Sequence, residues 1–165
     1  MNDFPKRKSI RLKNYDYSSA GYYFITICTK DKYEYFGKIV GDDAHIVPPY
    51  IKHSEYGLIV EKYISNISEI NDDIYIDKYT IMPNHIHMII VICNRNGTMW
   101  ALSPTNNRIS NIVRSLKTLV TKQTGFPIWQ RSFHDYIIRT ENEYRRMWKY
   151  IDENPINWTY DEYYA

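Results

Sequence analysis

Residues 74–82 and 86–93 are two strand-like apolar runs on either side of Pro83 and Asn84. So short a connection dictates an antiparallel hairpin, because a parallel crossover needs a dozen residues or more and Pro and Asn supply turn dihedrals. Residues 21–29 (GYYFITICT), rich in β-branched and aromatic side chains, predict a central strand buried on both faces. Residues 33–40 (YEYFGKIV) are expected to pair with that strand, Gly37 allowing a bulge.

The remaining periodicity is helical. Tyr56, Ile59, Val60, Tyr63, Ile64 and Ile67 recur at three- and four-residue steps and predict a helix over 50–67 with one apolar stripe. Ile109, Ile112, Val113, Leu116, Leu119 and Val120 predict a second, closed by Gly125 and Pro127, with Arg114 and Lys117 on its outer face. A third opens with Thr140 and Glu143 at capping-box spacing and ends near Asn154, because Pro155 disfavours helical geometry in the residue before it. Its expected buried stripe is Tyr144, Met147, Trp148 and Ile151. Strand, strand, helix, strand, strand, helix, helix is the order of an α+β domain, an antiparallel sheet with helices packed on one face. Residues 1–13 are expected to form a mobile basic arm and 94–107 a surface loop, and all 165 residues one domain.

Composition narrows the class of partner. Hydrophobic residues are 44% and charged residues 24% of the chain, a globular balance that excludes wholesale disorder. With a net charge of only +2, attraction for nucleic acid must come from clusters such as Lys6, Arg7, Lys8, Arg11 and Lys13, or Arg108, Arg114, Lys117 and Lys122. Seventeen tyrosines give ample material for stacking on bases as well as for packing. Cys28 and Cys93 lack metal or redox spacing and read as small core residues in a reducing compartment. No signal-peptide pattern or 18-residue apolar run occurs, so a cytoplasmic protein outside the membrane is expected.

Two short patterns carry chemistry. Strand side chains alternate, so His85 and His87 in MPNHIHMII share one face while Ile86, Met88 and Ile90 share the other. Two adjacent imidazoles suit a divalent ion, and their place at a strand end predicts a site open to solvent. On the third helix Tyr150 lies about 110° from the apolar stripe, and Asn154, four residues on, shares its face. A phenol and an amide oxygen there could approach one ion or phosphate. Tyr136 lies in an extended, strand-like run ahead of the capping box.

IMPNHIHMII (81–90) followed by WQRSFHDYIIRTENEYRRMWKYIDENPINW (129–158), with SIRLKNYDYSSAGYYFITICT (9–29) ahead of them, resembles the REP-associated tyrosine transposases, relatives of the single-tyrosine HUH transposases of insertion sequences. The resemblance implies a ferredoxin-like (RRM-like) sheet, with His85, His87 and Asn154 as ligands to Mg²⁺ or Mn²⁺. It makes Tyr150 the nucleophile that cleaves single-stranded DNA through a 5′-phosphotyrosine link and then transfers or rejoins it. Imperfect palindromic hairpins are the implied partner, in a cytoplasmic, nucleoid-associated protein that is a monomer or homodimer. Where the family often has histidine, this chain has Tyr136, which is therefore the rival nucleophile. Arg7, Lys8, Arg11, Arg114, Lys117 and Arg131 are the expected DNA contacts, and His134 a contact to substrate or metal. Two other readings compete: a single-strand-binding module without catalysis, and a metallohydrolase pairing the histidines with Asp77 or Asp135 and a water nucleophile.

Overall fold

The structure is a computed structural model that describes residues 20–41, 48–93 and 108–164. The basic arm with Arg7, Lys8 and Arg11, and the loop 94–107, lie outside the described residues.

The hairpin forms as its spacing requires: β4 (Ile74–Ile81) and β5 (His85–Ile92) pair antiparallel, with Ile81 opposite Ile86 and Thr80 opposite His87. β1 (Gly21–Cys28) lies between β5 and β6 (His134–Ile138), giving an antiparallel sheet of order β4-β5-β1-β6. Every residue of β5 is buried, as befits a strand paired on both edges and covered on both faces.

Period two along β1 and β5 builds two cores. Tyr23, Ile25 and Ile27 with Ile86, Met88, Ile90 and Ile92 meet the apolar stripes of α1 (Glu55–Ile70) and α2 (Arg108–Thr124). On the opposite face Ile89, Val91 and Ile138 meet Ile151 of α3 (Glu141–Glu153), with Phe24, Tyr144 and Met147 around them. Helices on one face therefore holds for α1 and α2, whereas α3 crosses the other, because Ile89 and Val91 present a second apolar surface there. Trp148, expected in the buried stripe of α3, is 38% exposed, with Lys78 Nζ 3.7 Å from its ring centroid. The capping box of Thr140 and Glu143 is present, and Asn154 is the C-cap.

Two further expectations change. β2 (Gly37–Val40) pairs with β3 (Tyr50–His53) rather than with β1, whose two edges are taken by β5 and β6. The first helix begins at Glu55 instead of residue 50. Ser54 caps it by accepting from the Gly57 N–H at 3.2 Å, and its hydroxyl donates to the Tyr35 carbonyl at 2.6 Å. Cys28 is buried, but Cys93, just past β5, is exposed.

Gly57 is where α1 crosses the backbone leading into β2, and a methyl group there would collide with the Phe36 carbonyl. Gly57→Ala is therefore expected to cost roughly 1–3 kcal/mol despite its better helix propensity, read as a lower urea midpoint with unchanged slope. Among the described residues no helix is long and apolar enough to cross a membrane.

Candidate metal and tyrosine site

His85 and His87 project from β5 toward α3, their ring centroids 4.4 Å apart. Each ring is oriented by a bond at Nδ1. His85 Nδ1 lies 2.9 Å from Asn84 Oδ1, and His87 Nδ1 lies 2.8 Å from Thr26 Oγ1 on the neighbouring strand. The Asn84 amide is itself set, its Nδ2 donating to the carbonyls of Tyr163 at 2.9 Å and Lys32 at 3.3 Å. Its oxygen must therefore accept from His85 Nδ1–H, leaving a lone pair on Nε2.

Those Nε2 atoms are buried and without a partner on both histidines, and so is Asn154 Oδ1. Buried polar atoms without partners are costly, and with His87 Nδ1–H donating to Thr26 Oγ1 a bound cation satisfies all three at once. A third group converges here: the Asp161 carboxylate lies with the two imidazoles so that one ligand atom from each falls within 4.8 Å of the others. Two neutral imidazoles, an amide oxygen and a carboxylate form a donor set that fits a divalent ion.

Asp161 also organises the tyrosine. Tyr150 Oη donates to Asp161 Oδ2 at 3.1 Å, and Asn154 Nδ2 donates to the same oxygen at 2.7 Å, which turns Asn154 Oδ1 away from it. The Tyr150 ring stands edge-on to Phe24 and His87, with centroids 6.0 and 5.1 Å away. Burial, followed by the negative charge of Asp161, raises the Tyr150 pKa well above that of a free phenol.

The expectation of an open histidine site is corrected: His85 is 0% and His87 1% exposed. After Pro155 the chain returns over β5. Trp158 and Tyr163 then pack on His85, with Tyr163 also against His87. Sequence reasoning missed Asp161 and this returning segment. The signal was the acidic and aromatic tail DEYY at 161–164, which has no periodicity of its own.

Two of the rival residues, Tyr136 and Asp77, are engaged elsewhere. Tyr136 Oη donates to Glu143 Oε1 at 2.6 Å, while Glu143 Oε2 accepts from the backbone N–H groups of Arg139 and Thr140. Asp77 accepts from Tyr144 Oη at 2.8 Å, whereas Asp135, opposite Ile25 in the sheet, lines the same cleft as Tyr150 with its Oδ1 buried and unpartnered but is not grouped with the two imidazoles as Asp161 is. The carboxylate beside the histidines is thus neither of the two expected.

No protein-family model matches the chain. A protein of Haemophilus influenzae, described as uncharacterized, is 37% identical over 175 residues, spanning 96% of this chain and 93% of its own length. The chain belongs to the family of that protein. The solved structure of a REP-associated tyrosine transposase bound to a REP hairpin superposes with a TM-score of 0.63 at 19% identity, over 92% of this chain and 76% of that one. The fold is that of a REP-associated tyrosine transposase.

Within this transposase-like fold, two concavities flank β6. A cleft of about 630 Å³ beside the tyrosine is lined by Phe24, His134, Tyr136, Met147, Tyr150 and Tyr160, among others. A groove of about 790 Å³ lies between α2 and residues 129–133, and there Arg114, Lys117 and Arg131 come together with Lys122. Lys117 is partly committed: its Nζ donates to the carbonyls of Gln130 at 2.7 Å and Ser132 at 2.8 Å.

The histidines also give the metal-free fold a pH dependence. Burial holds His85 down at about 4, opposed by the charge of Asp161 and the amide of Asn154. Burial and then His85 lower His87. Unfolded histidine titrates near 6.5, so from about pH 6.5 to pH 4 the unfolded chain holds more protons than the folded one. Stability in chelator is expected to fall as pH falls through that window, by on the order of a few kcal/mol, with no further His85 contribution below it. Urea midpoints at pH 7 and pH 4.5 check this, and the slope should flatten in the His85→Ala, His87→Ala pair.

Proposed function

We propose that the protein cleaves and rejoins single-stranded DNA, imperfect hairpins in particular, through a covalent 5′-phosphotyrosine at Tyr150. The observation that carries this is the convergence of two unpartnered buried Nε2 atoms, Asn154 Oδ1 and the Tyr150–Asp161 hydrogen bond at one place. The hairpin bound in the structural relative supports the choice of partner.

His85 and His87, with Asn154 and Asp161, would hold Mg²⁺ or Mn²⁺, which when bound polarises a phosphodiester and offsets the charge that builds up as it is attacked. The chain's own residues do the rest. Asn84 and Thr26 fix the imidazoles, Asp161 aims the Tyr150 hydroxyl, and Phe24 and Met147 floor the cleft through which a strand reaches it. Tyr150 Oη attacks phosphorus and the 3′-oxygen leaves. Because the phosphotyrosine link conserves the energy of the broken bond, a free 3′-hydroxyl can reverse the step without a high-energy cofactor. Arg114, Lys117 and Arg131 line a groove whose cations suit the flanking phosphates. Arg7, Lys8 and Arg11 add to that contact, and the nucleoid is where the protein acts.

A second reading draws on the same carboxylate. Two histidines and Asp161 also suit a metallohydrolase that activates water, a mechanism that leaves no protein–DNA link. Labelled single-stranded hairpin DNA with Mn²⁺ separates the two. A denaturant-resistant adduct whose DNA-bearing peptide contains Tyr150 supports the proposal. Cleavage without an adduct transfers the case to the hydrolase, and binding without cleavage makes the chain a binding module.

A further inference from the structure

We propose that His134 is the general acid of the cleavage step, giving its proton to the 3′-oxygen that leaves when Tyr150 attacks, an inference that rests on the tyrosine-nuclease reading above. Thr26 is directly opposite His87 on one side and His134 on the other. Residues opposite one another in a sheet project to the same face, so His87, Thr26 and His134 form one row across β5, β1 and β6. His134 therefore stands on the face that carries the metal-site histidines, two strand spacings, or about 10 Å, from His87 along the backbone. His87, His134 and Tyr150 all line one cleft, so a phosphodiester held there would lie among the three.

The surroundings single His134 out. It is exposed where His85 and His87 are buried, and it lines the cleft that Tyr150 enters. No lysine or arginine is among the described residues lining that cleft. Two of the other hydroxyls there are committed as donors, Tyr136 Oη to Glu143 and Tyr150 Oη to Asp161. The imidazole of His134 has no hydrogen-bond or ion-pair partner among the described residues.

The chemistry calls for such a group. As the Tyr150 Oη–phosphorus bond forms, the phosphorus–O3′ bond breaks and its electron pair goes to O3′, a strongly basic alkoxide unless a proton arrives with it. Imidazolium supplies that proton and is left neutral, while the phenol proton passes toward Asp161. In rejoining, the neutral imidazole takes the proton back from the attacking 3′-hydroxyl. Imidazole is the side chain best suited to both directions near neutral pH.

Replacing O3′ by sulfur at the scissile bond tests this, because a thiolate leaves without protonation. With the full chain and Mn²⁺, His134→Ala and His134→Gln are expected to slow adduct formation on the oxygen substrate by about a hundredfold. On the 3′-bridging sulfur substrate they should proceed nearly as fast as the unsubstituted protein. Equal slowing on both substrates, or no slowing on either, overturns the assignment while leaving Tyr150 as nucleophile. Failure of the unsubstituted protein to form an adduct with either substrate overturns the nuclease reading and this inference with it. Melting temperatures of both variants, unchanged for an exposed side chain, keep a folding defect from passing as a chemical one.

Discussion

Tyr150→Phe is expected to abolish the covalent adduct, a loss of several orders of magnitude set by the detection limit, while the fold persists. Removing the hydroxyl deletes the attacking oxygen and one hydrogen bond to Asp161. The ring keeps its edge-on packing against Phe24 and His87. A single lost bond of this kind costs about 1 kcal/mol, too little to unfold a domain of this size. Tyr136→Phe should behave in the opposite way. Its hydroxyl serves the Glu143 carboxylate that also caps α3, so the adduct should form while α3 loses some stability. An adduct that survives Tyr150→Phe and disappears with Tyr136→Phe would show the nucleophile to be Tyr136.

The second large effect concerns the histidines. A ligand that binds only the folded chain stabilises it in proportion to the logarithm of one plus the ratio of its free concentration to Kd, by about 2.7 kcal/mol at a hundred times Kd. For a chain this long that corresponds to a rise in Tm of roughly 5–10 °C on adding Mn²⁺. The rise should vanish in the His85→Ala, His87→Ala pair and shrink in Asp161→Asn, which keeps a hydrogen-bonding group but removes the charge. A rise that survives the histidine pair would place the ion elsewhere. No rise in the unsubstituted protein would remove the metal from the proposal. The buried, donor-less Nε2 atoms are the reason to expect a strong effect: without a cation they are unsatisfied, and with one they are ligands.

Much of the frame was legible because it depends on local geometry. Pro83 and Asn84 dictate the hairpin, and Thr140 with Glu143 the start of α3. Where expectations failed, a non-local partner decided. The run at 33–40 looked like a neighbour of β1, but the edges of β1 were claimed by β5 and β6 from later in the chain. Residues 50–53 looked helical in continuity with α1, but pairing with β2 and the Ser54 cap drew the boundary. Trp148 satisfies the helical period and yet stays partly exposed, with the Lys78 ammonium over its ring.

The candidate site divides along the same line. Spacing alone placed His85 with His87 and Tyr150 with Asn154 on common faces, because a strand repeats every two residues and a helix nearly every four. Spacing could not say that these two faces look at each other across the sheet. Nor could it say that the chain after Pro155 turns back to bury both imidazoles and bring the Asp161 carboxylate onto Tyr150 and Asn154. Those facts belong to the tertiary structure: they arise from burying the second apolar surface of β5 under α3, and that packing, not any local preference, sets where the tail must run.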